Sequence, residues 1–256
     1  MFDAFYLKDL IRKLLVPKTY FCDHLWSSVS IRVSGEVEAC SCAPCPKPVF
    51  DFFSEPIQDI WNNSWFRNTR RYLLDGTKGE RVFECCRSCP VSLQDRYYLP
   101  SLRLRLTEPR LIHSRRLKPV PLSLLEDKHS NYRRLLKILR ARTDYIPAFP
   151  VCANIDPSNV CNLKCPFCPV GSGELDHAPR GFMPLERFER IMERLGPYLI
   201  HLDLYRYGEP LLNPDIVKMI EWASQTYRIY TSISANFSLP LSDDTLEGFI
   251  HAGLNQ

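Results

Sequence analysis

No run of about 18 consecutive apolar residues occurs in this chain, so the sequence offers no membrane-spanning helix. A signal peptide is also missing. The opening MFDAFYLKDLIRKLLV carries an apolar stripe, but Asp3, Lys8, Asp9, Arg12 and Lys13 interrupt it and no small-residue cleavage site follows. A strong excess of one charge is lacking too. The 33 basic and 29 acidic residues leave a net charge of +4, too weak a bias to argue for nucleic acid or anionic lipid. Apolar content is 45%, ordinary for a globular protein, and 256 residues suffice for one large or two small domains. These absences together point to a cytoplasmic globular protein without membrane or nucleic-acid partners.

What the chain does have is cysteine: 11 residues. A reducing compartment keeps thiols out of disulfides, so they are expected to serve otherwise. They fall in clusters, with Cys22 first, then Cys40, Cys42 and Cys45, then Cys85, Cys86 and Cys89, and finally Cys152 followed by Cys161, Cys165 and Cys168. Clustered soft ligands indicate iron–sulfur or zinc sites. The last three form a C-x3-C-x2-C run within NVCNLKCPFCPVG. Three thiolates on one tight loop can hold three irons of a [4Fe–4S] cube and leave the fourth without a protein ligand. An open metal position marks a catalytic site rather than a closed structural one. Cys152, alone in an apolar segment, reads as a small buried residue.

Four regions follow from texture. Residues 1–19 read as a short amphipathic helix, and 20–96 are rich in cysteine and aromatics. In the second region Val29–Val33 alternates like a strand and turns at Gly35, and Ser54 precedes one helix carrying apolar positions 57, 60, 61, 65 and 72. Residues 97–148 are basic and contain a helical stretch from Leu124 to Arg142. The nine arginines between Arg103 and Arg142 lack interleaved aromatics, so a solvated linker face is the expectation.

From 149 to 256 strands alternate with helices. The strands are Val151–Asp156, Leu199–Arg206 and Arg228–Asn236. The first helix begins at Pro184 and stops at Gly196. The second is capped by Asn213 with Pro214 at its first position, and the third is capped by Ser242 and stops at Gly253. Alternation of this kind makes parallel βαβ units and an α/β class. Asn154 and Asp156, then His201, Asp203 and Tyr205, then Ser232, Ser234 and Asn236 share one face of their strands. A polar inner face suits a polar ligand, with a satisfied buried network as the alternative.

CNLKCPFC, together with Tyr207-Gly208-Glu209-Pro210 at the end of the second strand, resembles the N-terminal half of the radical S-adenosylmethionine (SAM) core domain. The resemblance implies an incomplete partial TIM barrel of three βα units, with Cys161, Cys165 and Cys168 as cluster ligands. The open iron would be chelated by SAM, whose reductive cleavage yields a 5′-deoxyadenosyl radical. Phe167 corresponds to an aromatic that covers the cluster near adenine. Tyr207–Pro210 resembles the turn that meets the SAM amine, with Tyr207 replacing the commoner first glycine, and Asn236 lies near the SAM layer. Gly171 and Gly173 read as flexibility around SAM or as a plain turn.

Cys22, Gly35, Cys40 and the Cys86–Cys89 pair, with the Trp61–Trp65 helix between them, resemble a SPASM/Twitch-type auxiliary cluster domain. This implies a small α+β module with one auxiliary [4Fe–4S] cluster on Cys22, Cys40, Cys86 and Cys89. Cys42, Cys45 and Cys85 remain possible substitutes, and a four-thiolate zinc site is the rival. The module normally follows the barrel; here it precedes it. The resemblance also implies a reducing donor such as flavodoxin or ferredoxin, and a peptide or small-molecule substrate the sequence does not identify. Since only three βα units fit before Gln256, a fragment of a longer enzyme with an open third strand is expected. A non-catalytic iron–sulfur or zinc module with a degenerate half-barrel is the alternative function.

Overall fold

The structure, a computed structural model, describes residues 22, 24–40, 50–76, 79–87, 119–174 and 179–256. The expected helix at 1–19, most of the basic stretch before 119, and Cys42, Cys45 and Cys89 lie outside the described residues.

Six strands form one sheet in the order β3-β2-β1-β4-β5-β6. Strands β1 (Ser28–Ile31), β2 (Glu36–Glu38) and β3 (Phe50–Asp51) are mutually antiparallel, and β2 returns through a turn at Gly35. Strands β4 (Cys152–Ile155), β5 (His201–Asp203) and β6 (Tyr230–Ser232) are mutually parallel. The class is therefore α/β, with the three βα units of an incomplete barrel at its C-terminal end. The hairpin joins that barrel directly: β1 pairs in parallel with β4, Ser28 opposite Cys152 and Ile31 opposite Ile155. The cysteine-rich segment and the half-barrel share one sheet and one apolar core, in which Trp26, Val29, Val37, Ile155, Leu202 and Met219 are all buried.

The helices cover this sheet. Helix α1 is His24–Ser27, and the single helix expected after Ser54 is two: α2 (Ile57–Trp61) and α3 (Ser64–Asp75). The division falls at Asn62–Asn63, where the Asn63 side chain caps α3 by accepting from the Trp65 and Phe66 amides. Such a cap supplies orphan helix donors with an acceptor, so the chain breaks where an asparagine can serve. Trp61 is fully buried against Phe66 and anchors this layer. Buried Arg70 stacks over Trp61 and donates to the Leu25 and Asp144 carbonyls, tying α3 to α1 and to the incoming linker. Helix α4 is Glu84–Arg87 and α5 is Leu122–Ala141, close to the expected span. Buried Lys128 of α5 donates to the carbonyls of Gly196 and Leu199, closing the end of α6 (Leu185–Leu195) and holding α5 against the start of β5.

Helix α7 (Ile216–Glu221) starts later than expected. Asn213 does not cap it conventionally. Its amide donates to the Pro157 and Met183 carbonyls while its oxygen accepts from the Asp215 amide, so it ties the first strand's exit to the second helix. Helix α8 (Asp243–Ala252) begins at Ser242, which accepts from Thr245, and ends at Gly253 with φ +88°. The outer edge of β6 is partly paired rather than open: Asn255 donates to the Thr231 carbonyl and Ile233 to that of Gln256. Among the described residues no helix is long and apolar enough to cross a membrane.

Candidate cofactor site at the strand ends

A parallel sheet presents its loops at the C-terminal ends of its strands, and here the two predicted motifs meet at that end. After β4 the chain makes a tight turn in which the Ser158 hydroxyl bonds the amide and carbonyl of Val160. The Cys161–Cys168 loop follows. It folds back on itself through Cys168 N–H to Cys165 O and Ser172 N–H to Cys168 O. Gly171 packs so closely that a Cβ there would lie 2.4 Å from the Cys165 carbonyl oxygen. Its smallness thus serves close approach, within a turn over residues 171–174.

The Tyr207–Pro210 turn sits against the root of this loop. Gly208 has φ +75°, and an added Cβ would lie 2.6 Å from Ser158 O and 2.7 Å from Val160 O. Only glycine meets both demands. Glu209 is buried, its amide donating to Val160 O at 2.8 Å. Its carboxylate accepts from Leu211 N at 3.0 Å and from Asn236 N at 2.8 Å. Asn236 in turn donates to Asn162 Oδ1 at 3.0 Å, with its amide nitrogen 3.8 Å from Cys161 Sγ. The structure therefore brings the cysteine loop, the Tyr207–Pro210 turn and Asn236 together through Glu209.

The thiols are less closely arranged. Cys165 is exposed, Cys161 and Cys168 are half-buried, and Leu163 N–H points at Cys161 Sγ at 3.4 Å. Phe167 stands fully exposed at the loop's tip and packs on nothing described. Among the described residues no three Cys, His, Asp or Glu side chains are gathered tightly enough to form a metal-holding group. This holds for Cys161, Cys165 and Cys168 and for Cys22, Cys40 and Cys86, all three of the latter half-buried. Cys85 is disulfide-bonded, against the expectation of reduced thiols throughout; thiols crowded enough to share a metal are crowded enough to bond one another. The donor chemistry nonetheless suits an iron–sulfur cluster. The C-terminal set is all thiol, lies on one loop, and has a backbone N–H aimed at sulfur, a contact that tunes such clusters. Metal binding commonly draws its ligands together as it orders a loop.

The polar face read from the sequence is longer than expected. Strand register aligns Glu38, Ser30, Asn154, Asp203 and Ser232 across five strands. Asp203 accepts from Ser232 and lies 2.6 Å from His201 Nε2, and His201 stacks on Tyr230. That end of the row bonds internally. Ser30 Oγ, Asn154 Oδ1 and Asp156 Oδ1 are buried with no hydrogen-bond partner among the described residues.

Asp156 closes β4 beside a cavity of about 140 Å3 also lined by Arg32, Asn159, Arg180 and Tyr207. Burial pushes its carboxyl from the ordinary 3.8 up to about 7, with nearby Arg206 opposing and Glu38 reinforcing the rise. In the unfolded chain Asp156 ionises near pH 4, whereas in the folded chain it keeps its proton until about 7. The unfolded state therefore holds fewer protons between those values, and stability falls as pH rises through them. Asp156→Asn is expected to remove that slope and to stabilise the protein at pH 8 by up to about 4 kcal/mol, one pKa unit being worth about 1.4 kcal/mol. Urea denaturation of both proteins at pH 5 and pH 8 checks this; equal slopes in the two would refute it.

Sequence reasoning missed Glu38, Arg70 and Lys128, three charged residues buried in the structure. Only Glu38 left a signal, because it alternates with Val37 on a strand and so shares a face with Ser30.

Comparisons with known proteins agree with these motifs. Residues 155–256 match the radical SAM superfamily, and residues 22–90 match the SPASM iron–sulfur cluster-binding domain. Two crystal structures of BtrN, one in complex with AdoMet and 2-DOIA and one of its selenomethionine form in an open conformation, are similar at 20% identity and a TM-score of 0.35. The similarity covers 41% of this chain and 42% and 46% of theirs, so this chain spans under half of their length. A comparison with curated proteins gives no match. The chain thus matches the radical SAM superfamily over residues 155–256, and this match is preceded by one to the iron–sulfur cluster-binding SPASM domain over residues 22–90.

Proposed function

We propose that this chain is the cofactor-binding part of a radical SAM enzyme. In this reading Cys161, Cys165 and Cys168 ligate three irons of a [4Fe–4S] cluster, and SAM occupies the fourth. A cluster held there would supply one electron for the reductive cleavage of SAM. The protein's own part is to hold and orient. Tyr207, Gly208, Glu209 and Pro210 frame the SAM amine, with the Gly208 backbone pressed against Val160 and free of any side chain. Glu209 fixes the distance between that turn and Asn236 by accepting from both sides. Phe167, exposed at the loop's tip, is available to close over the cofactor. Cys22, Cys40, Cys86 and Cys89 hold one auxiliary [4Fe–4S] cluster; the SPASM match begins at the first of them and ends just beyond the last. The domains divide at 20–96 and 149–256, with 97–148 as the connecting linker and helix.

The observation that carries this reading is the convergence on Glu209, which joins the cysteine loop, the turn and Asn236 from three separate parts of the chain. The electron would come from a donor such as flavodoxin or ferredoxin in the cytoplasm, and the substrate is a peptide or a small polar molecule. Anaerobic reconstitution tests the assignment. About eight irons per chain, and 5′-deoxyadenosine formed from SAM under dithionite, are expected. Zinc in place of iron, or iron without SAM cleavage, would favour a non-catalytic metal module.

A further inference from the structure

Between the two domains lies a buried group of charges that neither motif includes. Glu38, at the end of β2, is 1% exposed. One of its carboxylate oxygens accepts from Arg32, at the exit of β1, and the other from Arg206, at the exit of β5. Arg206 also donates through Nη2 to the carbonyl of Cys40 at 3.0 Å, and its guanidinium lies 4.3 Å from the centre of the Tyr207 ring. The Asp156 carboxyl lies beside this group, and its own amide donates to Ile31 O at 2.9 Å. The exits of β1, β2 and β5 are therefore fastened around one carboxylate and two guanidiniums, with the Asp156 carboxyl at the exit of β4 beside them.

Buried ion pairs contribute little net stability compared with apolar residues of similar volume, because desolvation offsets their attraction. What such a pair does supply is registry. Arg206 immediately precedes Tyr207, and its planar fork reaches Glu38 and the Cys40 carbonyl at once. A guanidinium holding two fixed acceptors has little freedom to shift. The Tyr207–Pro210 turn thus cannot shift relative to Cys40 without breaking those bonds.

We propose that Arg206, braced by Glu38, is a positioning residue that couples SAM binding at the Tyr207–Pro210 turn to metal occupancy at the Cys40 end of the SPASM domain. The coupling rests on the cofactor assignment above. Linkage makes it reciprocal, so loss of the auxiliary metal weakens SAM binding and the bound state of one site is felt at the other.

A double-mutant cycle on the reconstituted full chain tests it, with SAM affinity measured by equilibrium dialysis and circular dichroism as the folding check. In the wild-type background Cys40→Ala is expected to weaken SAM binding about fivefold or more, the lower end of ordinary coupling. The second background combines Glu38→Leu with Arg206→Met, which removes the pair together and leaves Arg32 beside Glu36. There Cys40→Ala is expected to change SAM affinity by a factor near one. Arg206→Lys keeps the charge without the fork and should give an intermediate factor. Equal factors in the wild-type and paired-variant backgrounds, or no effect of Cys40→Ala in the wild type, would overturn the proposal. If the iron-loaded wild type fails to bind SAM at all, the cofactor assignment itself is wrong and the coupling falls with it.

Discussion

Alanine in place of Cys161, Cys165 and Cys168 together is expected to remove about four irons per chain and to abolish reductive cleavage of SAM, leaving the fold intact. The expectation of an intact fold comes from placement. Cys165 is exposed and Cys161 and Cys168 are half-buried, so none of the three fills the core that Val29, Leu202 and Met219 define. Small surface truncations outside a core change stability by only a few tenths of a kcal/mol as a rule. Loss of three thiolates, by contrast, removes every protein ligand of one cluster. Iron analysis and visible absorbance of the triple variant, set against wild type, give the answer. Undiminished iron and brown colour would show that the loop holds no cluster.

The second large effect is expected at Gly208. Gly208→Ala places a Cβ 2.6 Å from Ser158 O, 2.7 Å from Val160 O and 2.8 Å from Val160 N. All three are backbone atoms, and the strand exit that carries them is held by Asn213 to both Pro157 and Met183. The φ of +75° adds the left-handed penalty, about 1 kcal/mol for a residue with a side chain. Relief requires the turn to move away from the cysteine loop, which breaks the Glu209 amide bond to Val160. A destabilisation of roughly 2–4 kcal/mol is expected, within the usual range for strain at a special backbone position. SAM affinity should fall at least about tenfold, since about 1.4 kcal/mol suffices for that factor. Thermal denaturation and equilibrium dialysis measure the two effects separately. Wild-type SAM affinity in the alanine variant would show that the turn does not frame the cofactor.

Much of this site was readable before the structure. Ser242 and Gly253 bracket α8 as their chemistry requires, and Pro184 and Gly196 bracket α6. Alternation along three strands placed Asn154, Asp203 and Ser232 on one face, and the register confirms that row. Local patterns report local geometry, which explains where reading stopped. The parallel pairing of β1 with β4 joins residues more than a hundred positions apart, and nothing in either strand's own sequence names its partner. The same long-range pairing buries Glu38, a residue that by composition alone belongs on a surface. Asn62 and Asn63 divide the expected helix because the Asn63 side chain offers the second half an N-cap, a competition that apolar spacing does not register. Helix α8 shows the reverse case: Leu246 and Ile250 continue its apolar pattern yet are 44% and 58% exposed.

Electron paramagnetic resonance of the dithionite-reduced, anaerobically reconstituted chain, recorded before and after addition of SAM, addresses the open iron itself. If SAM docks on a cluster held at only three corners, the signal of the Cys161–Cys168 cluster changes shape when SAM is added. A spectrum with that loop's cluster present and unaltered by saturating SAM would contradict the account.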